Sequence, residues 1–573
     1  VNKISTKQKY ELAFDSFEGI DTRMDKTSEH GCSYISNFRI APDGSLEKRY
    51  GYRTVFTFDA PIRAVWTGKL DGVFKGYALI GKAVMLLNFQ TELSASVGEI
   101  DTDSGDATFF YYRSKLYLID GKSIYIIGSG GITAPYGYIP LVGKDWPVNT
   151  VGEIYQSPNL LNDRARITYA IKTDGSAYLK TDENIVSIDR IFVNGVKIDE
   201  DRYSLSIVPR TVFLTELKAG DHVELCYRYQ KDTSFTAELL SCKKAMVFGA
   251  ITNSRPFLWG GNDKTVMYNA AYVSIADLYA SRKTFGSSDE LYFPFGHEFT
   301  VGDGRYPISA VSRHYDRLLI FTEGGAWMAD SSACGIEEFP LMRINSAIGV
   351  ASEDAATTVG NQPCSVGLNS IYRWTSNTDE LDECNAYSIS DGINGLLPAD
   401  FFTTAFVFHD GVKGEILFGS PKLENKVLVY NTSSKCWTVF EGISADRFID
   451  CGSDVGFIKG TQIFVFDKSC TVDKGVAEKE INAAFYSNTL DFGTDSFKHM
   501  RSVSAGYFGT GISLELYFDG KDAPECTTSL TQLTKYSTVK KRVSAKRFKT
   551  ARFALRATGR STQRIYSLCI NTR

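Results

Sequence analysis

Gly414-Glu415-Ile416-Leu417-Phe418-Gly419 is followed by Lys426-Val427-Leu428-Val429-Tyr430-Asn431 and then by Cys436-Trp437-Thr438-Val439-Phe440. These are short apolar runs rich in β-branched and aromatic residues, and each is bounded by Gly, Asn or Ser. Runs of that length between turn residues read as strands. The pattern recurs in both directions along the chain. Downstream, Gly456-Phe457-Ile458-Lys459-Gly460-Thr461-Gln462-Ile463-Phe464-Val465-Phe466-Asp467 is a second couplet. Upstream, Arg317-Leu318-Leu319-Ile320-Phe321 pairs with Gly325-Ala326-Trp327-Met328, and Tyr77 to Phe89 divides around Gly81-Lys82. Lys115-Leu116-Tyr117-Leu118-Ile119 turns at Asp120-Gly121 into Ile124-Tyr125-Ile126-Ile127, a hairpin signal. Blades of about 40–50 residues fit this rhythm, so a β-propeller is expected rather than one large sandwich. No WD or strict kelch signature accompanies it.

Composition agrees with β structure. The 573 residues include 37 Phe, 31 Tyr, 49 Gly and only 15 Pro. Helical periodicity is scarce. With 63 Lys+Arg against 67 Asp+Glu the net charge is -4, which gives no global attraction to nucleic acid or anionic membrane. The 11 cysteines are scattered without a Cys-x-x-Cys pair, and several lie among apolar neighbours. Such cysteines behave as small hydrophobes, and a reducing compartment is expected. The first residues lack the apolar core of a signal peptide, and no apolar run approaches the roughly 18 residues of a membrane span. Stable membrane insertion is not expected.

Two regions depart from the rhythm. Residues 151–235 read as an inserted β-sandwich, with Asn194-Gly195 as a type I′ turn and boundaries at Trp146-Pro147 and Gln230-Lys231-Asp232-Thr233. Residues 481–573 read as a basic β segment, with 15 Lys+Arg and 6 Asp+Glu from residue 490 onward. The expected organisation is all-β. Residues 1–150 hold N-terminal strands and the first blades, 151–235 the insert, 236–480 the remaining blades, and 481–573 the C-terminal segment.

Catalytic patterns are weak. Gly121-Lys122-Ser123 has the tail of a phosphate-binding loop, but Leu116 stands where its first Gly is needed. Asp101-Thr102-Asp103-Ser104-Gly105-Asp106 clusters carboxylates without EF-hand spacing, since Tyr112 occupies the position of the bidentate Glu. No two of the six histidines are spaced at i,i+4. Ser388-Ile389-Ser390-Asp391-Gly392 lacks the spacing and Trp of a sialidase-type turn. No enzyme activity, metal or cofactor is expected.

The first 53 residues carry a specific order: Phe17-Glu18-Gly19-Ile20-Asp21, then Asn37-Phe38-Arg39, then Asp43-Gly44-Ser45-Leu46-Glu47-Lys48-Arg49-Tyr50-Gly51-Tyr52. This resembles the opening of phage tail-nozzle proteins, also called tail tubular protein B or head–tail stabilisation proteins. Phe257-Leu258-Trp259-Gly260 with Val266-Met267-Tyr268-Asn269 resembles a strand pair of that family's propeller. Val193-Asn194-Gly195 and Gly220-Asp221-His222-Val223-Glu224-Leu225 resemble its small β-domains.

The resemblance implies a structural virion protein, made in the host cytoplasm and built into the tail. It implies a ring, typically a hexamer, below the portal and the head–tail adaptor. Such a ring continues the double-stranded DNA channel, retains the genome, lets it exit on infection, and neighbours tail fibre or tip proteins. An acidic loop with Asp379, Glu380, Asp382 and Glu383 is the candidate gate or lumen loop. A tube that passes DNA should not grip phosphates, because many such contacts bind tightly. The basic positions Arg542, Lys546, Arg547, Lys549 and Arg552 are therefore expected at a subunit interface or the tail exterior. The alternative is a receptor- or glycan-binding tail propeller, with glycan degradation if it carries paired carboxylates.

Overall fold

The computed structural model describes residues 10–23, 30–128, 130–206, 208, 210–249, 254–286, 289–330, 341–375, 385–475, 477–530, 533–543 and 547–572. Among these residues, seven antiparallel four-stranded meanders succeed one another around an axis. Blade one begins at Ile62–Leu70, blade two at Thr108–Tyr112, and blade three at Lys244–Phe248. Blades four to seven begin at Ile308–His314, Ala356–Val359, Phe406–Asp410 and Arg447–Asp450. These opening strands lie innermost, and most of them touch the opening strands of the blades on either side. The fold is thus an all-β propeller body, and the couplets quoted above are its middle strands.

The ring closes with a strand from the other end of the chain. Blade seven takes three strands from Arg447–Asp450, Val455–Lys459 and Gln462–Asp467. Its fourth is Gly51–Thr57, antiparallel to Gln462–Asp467 with Phe466 opposite Tyr52. Blade faces pack through apolar layers. Phe257, Trp259 and Met267 of blade three meet Val311, Leu318 and Ile320 of blade four. Val55 and Ile463 of blade seven meet Ala78 and Leu87 of blade one. Fully burying one such side chain stabilises by about 1.5–3 kcal/mol, so each of these two wedges is a core in its own right.

The insert lies between blades two and three. Its two sheets enclose a separate core that includes Trp146, Ile167, Tyr169, Leu214, Leu225 and Tyr227. Asn194 and Gly195 both take positive φ (51° and 79°), as the I′ turn requires. The expected boundary at Trp146-Pro147 does not hold. Strand Leu141–Pro147 is part of the sandwich, running parallel to Arg164–Ala170. Trp146 is 2% exposed and donates its indole N–H to the Glu153 carbonyl (2.7 Å). The tryptophan marks the module's core, not its edge.

The C-terminal strands do not form a segment apart. Arg564–Thr572 pairs with Tyr10–Phe14, with Leu46–Lys48 and with Lys498–Gly509. Cys32–Ser36 pairs with Ala483–Ser487 and also meets blade six, where Ser36 lies opposite Val439. One large core therefore runs from blades four, five and six into a sandwich shared by both chain ends.

Candidate functional site

Three places carry the charged and polar groups that bear on function. The first is the buried junction built by the N-terminal motif. Asn37 sits at φ 57°, a left-handed conformation that Asn tolerates. Its side-chain carbonyl accepts from Arg49 Nε (2.7 Å) and from the Glu441 backbone N–H (2.9 Å). Its amide donates to the Asn482 carbonyl (2.8 Å). Arg49 forms a bidentate pair with Asp473 (2.8 and 2.7 Å), and the two side chains are 1% and 5% exposed. Phe17 packs edge-on against Phe485, and Leu46 is fully buried. The motif thus ties the sandwich to blades six and seven.

The second place is the basic C-terminal sheet. Leu533–Arg542 is the last strand of its sheet, with Arg542 opposite Ser502 of Lys498–Gly509. Arg547, on the short strand Arg547–Phe548, pairs with Lys498–Gly509 near its start, opposite His499. Arg542, Arg547 and Lys549 are exposed, and Arg552 is half-buried. None of these four makes an ion pair with a described residue. Arg547 and Lys549 instead flank the ring of Phe497, at 4.0 and 5.3 Å from its centroid. Arg552 lies over Tyr517 (4.9 Å) and Tyr486 (6.0 Å) of its own chain. Lys546 lies outside the described residues, as do Asp379, Glu380, Asp382 and Glu383.

Not every cation here is available to a partner. Lys498 is buried and donates to the carbonyls of Thr494, Ser496 and Lys549 (2.6–2.9 Å). Burial lowers its pKa below the usual lysine value.

The third place is the propeller axis. Lys244 opens blade three, Arg447 opens blade seven, and Asp354 precedes blade five. The Asp354 carboxylate accepts from Lys244 Nζ (3.1 Å) and from Arg447 Nη2 (3.1 Å), and Glu353 lies 3.6 Å from Lys244. Burial opposes ionisation of Asp354, but the two cations outweigh it and hold its pKa below the usual carboxylate value. The brace spans the axis. A duplex whose major groove alone is about 12 Å wide has no passage there.

The carboxylate cluster at Asp101–Asp106 is also accounted for. Arg63 donates into this loop, to the carbonyls of Thr102, Ser104 and Gly105 (2.7–2.9 Å) and to the Thr102 hydroxyl (3.0 Å). The guanidinium thus holds the loop through its backbone carbonyls and the Thr102 hydroxyl. Among the described residues no group of three or more His, Cys, Asp and Glu side chains is placed to hold one. Asp473, Asp354 and Arg63 carry no sequence signal, because each acts on partners distant in the chain.

A scan against protein-family models finds no match, and a search of curated proteins finds none. Similar solved structures include PorZ, an essential bacterial surface component of the type-IX secretion system of Porphyromonas gingivalis. It is 9% identical with a TM-score of 0.34, and the match covers 78% of this chain and 44% of PorZ. The AfRom2 CNH domain is 6% identical with a TM-score of 0.35, covering 73% of this chain and 99% of the domain. A chain of the mitotic checkpoint complex is 9% identical with a TM-score of 0.35, covering 73% and 94%.

Proposed function

We propose that this chain is the structural subunit of a phage tail nozzle. Copies form a ring, typically of six, that continues the DNA channel below the portal and its adaptor, retains the genome and releases it on infection. The observation that carries the reading is the N-terminal motif. Its resemblance to the tail-nozzle opening spans separate phrases in order; Asn37 and Arg49 from those phrases meet in one buried junction, and Phe17 and Leu46 lie in the large apolar core. That gives the motif an architectural reason to be retained.

Two further features support the reading. The axial brace leaves the conduit to be formed between copies, not through one propeller. Arg542, Arg547 and Lys549 are exposed and make no ion pair with a described residue, as suits an interface with an acidic neighbouring surface. In this reading the mechanism is structural and not catalytic.

The test is the mass of the purified chain by light scattering, alone and then with portal-adaptor rings. A ring, or a monomer that becomes a ring on the adaptor, is expected. A monomer that ignores every adaptor overturns the proposal.

A further inference from the structure

A cavity of about 490 Å³ opens beside blade four. It lies between the loop that enters the blade at residues 301–307 and the turn at Glu323-Gly324. Volumes of 300–1,000 Å³ are usual for small-molecule sites. Trp327 and Tyr306 form aromatic walls, and both are partly exposed. Two glycines bring these rings against the backbone. A Cβ at Gly302 would stand 2.8 Å from the Trp327 ring, and one at Gly324 would stand 2.5 Å from the Tyr306 ring.

The polar lining is balanced, with two carboxylates and two guanidinium groups. Asp303 Oδ2 lies 3.4 Å from Arg305 Nη2. Arg343 donates to the Gly324 carbonyl (2.8 Å), with its guanidinium carbon 5.7 Å from the Trp327 ring centroid. Glu323 is exposed and makes no ion pair with a described residue. It also lines a second cavity of about 250 Å³ that reaches Lys264 and Glu353 near the axis, so the two cavities adjoin at this carboxylate.

An isolated anion would favour a net positive lining, and an isolated cation a net negative one. Neither describes this cavity. Carboxylates only accept hydrogen bonds and guanidinium groups only donate them. A ligand that does both, and that offers an apolar face to an indole and a phenol, is a polyhydroxylated ring. We propose that this cavity binds a saccharide unit, and that the adjoining cavity gives a second unit its path toward the axis. The proposal concerns binding alone and stands independently of the ring-forming role.

The experiment is ligand-observed saturation-transfer NMR on the full chain. The probes are maltotetraose, chitotetraose and tetragalacturonate, with AMP and inorganic phosphate as non-saccharide probes. At least one tetrasaccharide is expected to bind at about 1 mM or tighter. Glu323→Gln and Arg343→Ala should each weaken it about tenfold or more. Both side chains are exposed, so the thermal midpoint should stay unchanged. Three outcomes overturn the proposal: no tetrasaccharide binds, only AMP or phosphate binds, or a tetrasaccharide binds equally well to both variants.

Discussion

At the scale of single residues, the Arg49–Asp473 pair is where a small change should cost most. A buried pair is weak evidence of net stabilisation, but removing one partner strands the other charge away from water. Arg49→Ala should therefore destabilise the fold by about 3–5 kcal/mol, read as a lower urea midpoint. Arg49→Lys should recover little, because a lysine cannot hold Asp473 through two N–H groups and Asn37 through a third. Full recovery by lysine would show that only charge matters at the junction. Beside it, Lys48 is buried, with Nζ donating to the Gly559 carbonyl (2.7 Å), and burial lowers its pKa to about 8. The unfolded chain keeps that proton to about pH 10.5, so from pH 8 upward it binds more protons than the folded chain. The Lys48 contribution to stability must then rise with pH. The stability of wild type relative to Lys48→Met should increase between pH 7.5 and 10, and a constant or falling difference would refute this. Arg49 could be noticed in the sequence as a motif position. Asp473 could not, because nothing within 424 residues points from one to the other.

At the scale of elements, the contrast between local and remote pairing explains what the sequence made legible. Blade hairpins such as Gln462–Asp467 with Val455–Lys459 pair across a two-residue turn, so alternation and turn residues announce them. The strand that completes the same sheet, Gly51–Thr57, comes from the other end of the chain and carries no sign of its partner. Trp146 misled for a related reason. A Trp-Pro pair resembles a linker until the indole is seen against Gly143 and Gly152. Of the candidate site, the exposed cations of the C-terminal sheet were legible from charge density, whereas the axial brace joins three blades and was not. The remote closure can be tested at Gly51, where an added Cβ would stand 1.9 Å from the Val472 carbonyl oxygen. Gly51→Ala should destabilise by about 1–3 kcal/mol, as overpacking does. Hydrogen exchange should accelerate first in Gln462–Asp467, the strand that Gly51–Thr57 covers. Unchanged protection there would mean that blade seven closes without it. The insert makes the opposite prediction. Its core is its own, so residues 140–230 expressed alone should unfold in one cooperative denaturant transition.

At the scale of the whole molecule, the many buried thiols and phenols set how stability responds to alkali. Burial raises the pKa of Cys32, Cys226, Cys242, Cys364, Cys436, Cys451 and Cys569 above the ordinary thiol value of 9.0. Above that pH the unfolded chain releases thiol protons that the folded chain keeps. The folded state then binds more protons, and stability falls as pH rises. Tyr117, Tyr169 and Tyr227, also raised by burial, add to the fall from pH 10 upward. Lys48, Lys231, Lys413 and Lys498 oppose it, since burial lowers each of them and the sign reverses. Seven thiols and the buried phenols outnumber four lysines, so the net slope is downward. The urea midpoint should hold between pH 7 and 8 and drop steeply between pH 9 and 10.5. The four buried thiols among these, Cys32, Cys226, Cys242 and Cys364, should become reactive to iodoacetamide in the same transition and not before it. Alkylation that precedes unfolding would place these cysteines at the surface, and a midpoint that rises through pH 10 would mean that the lysines dominate.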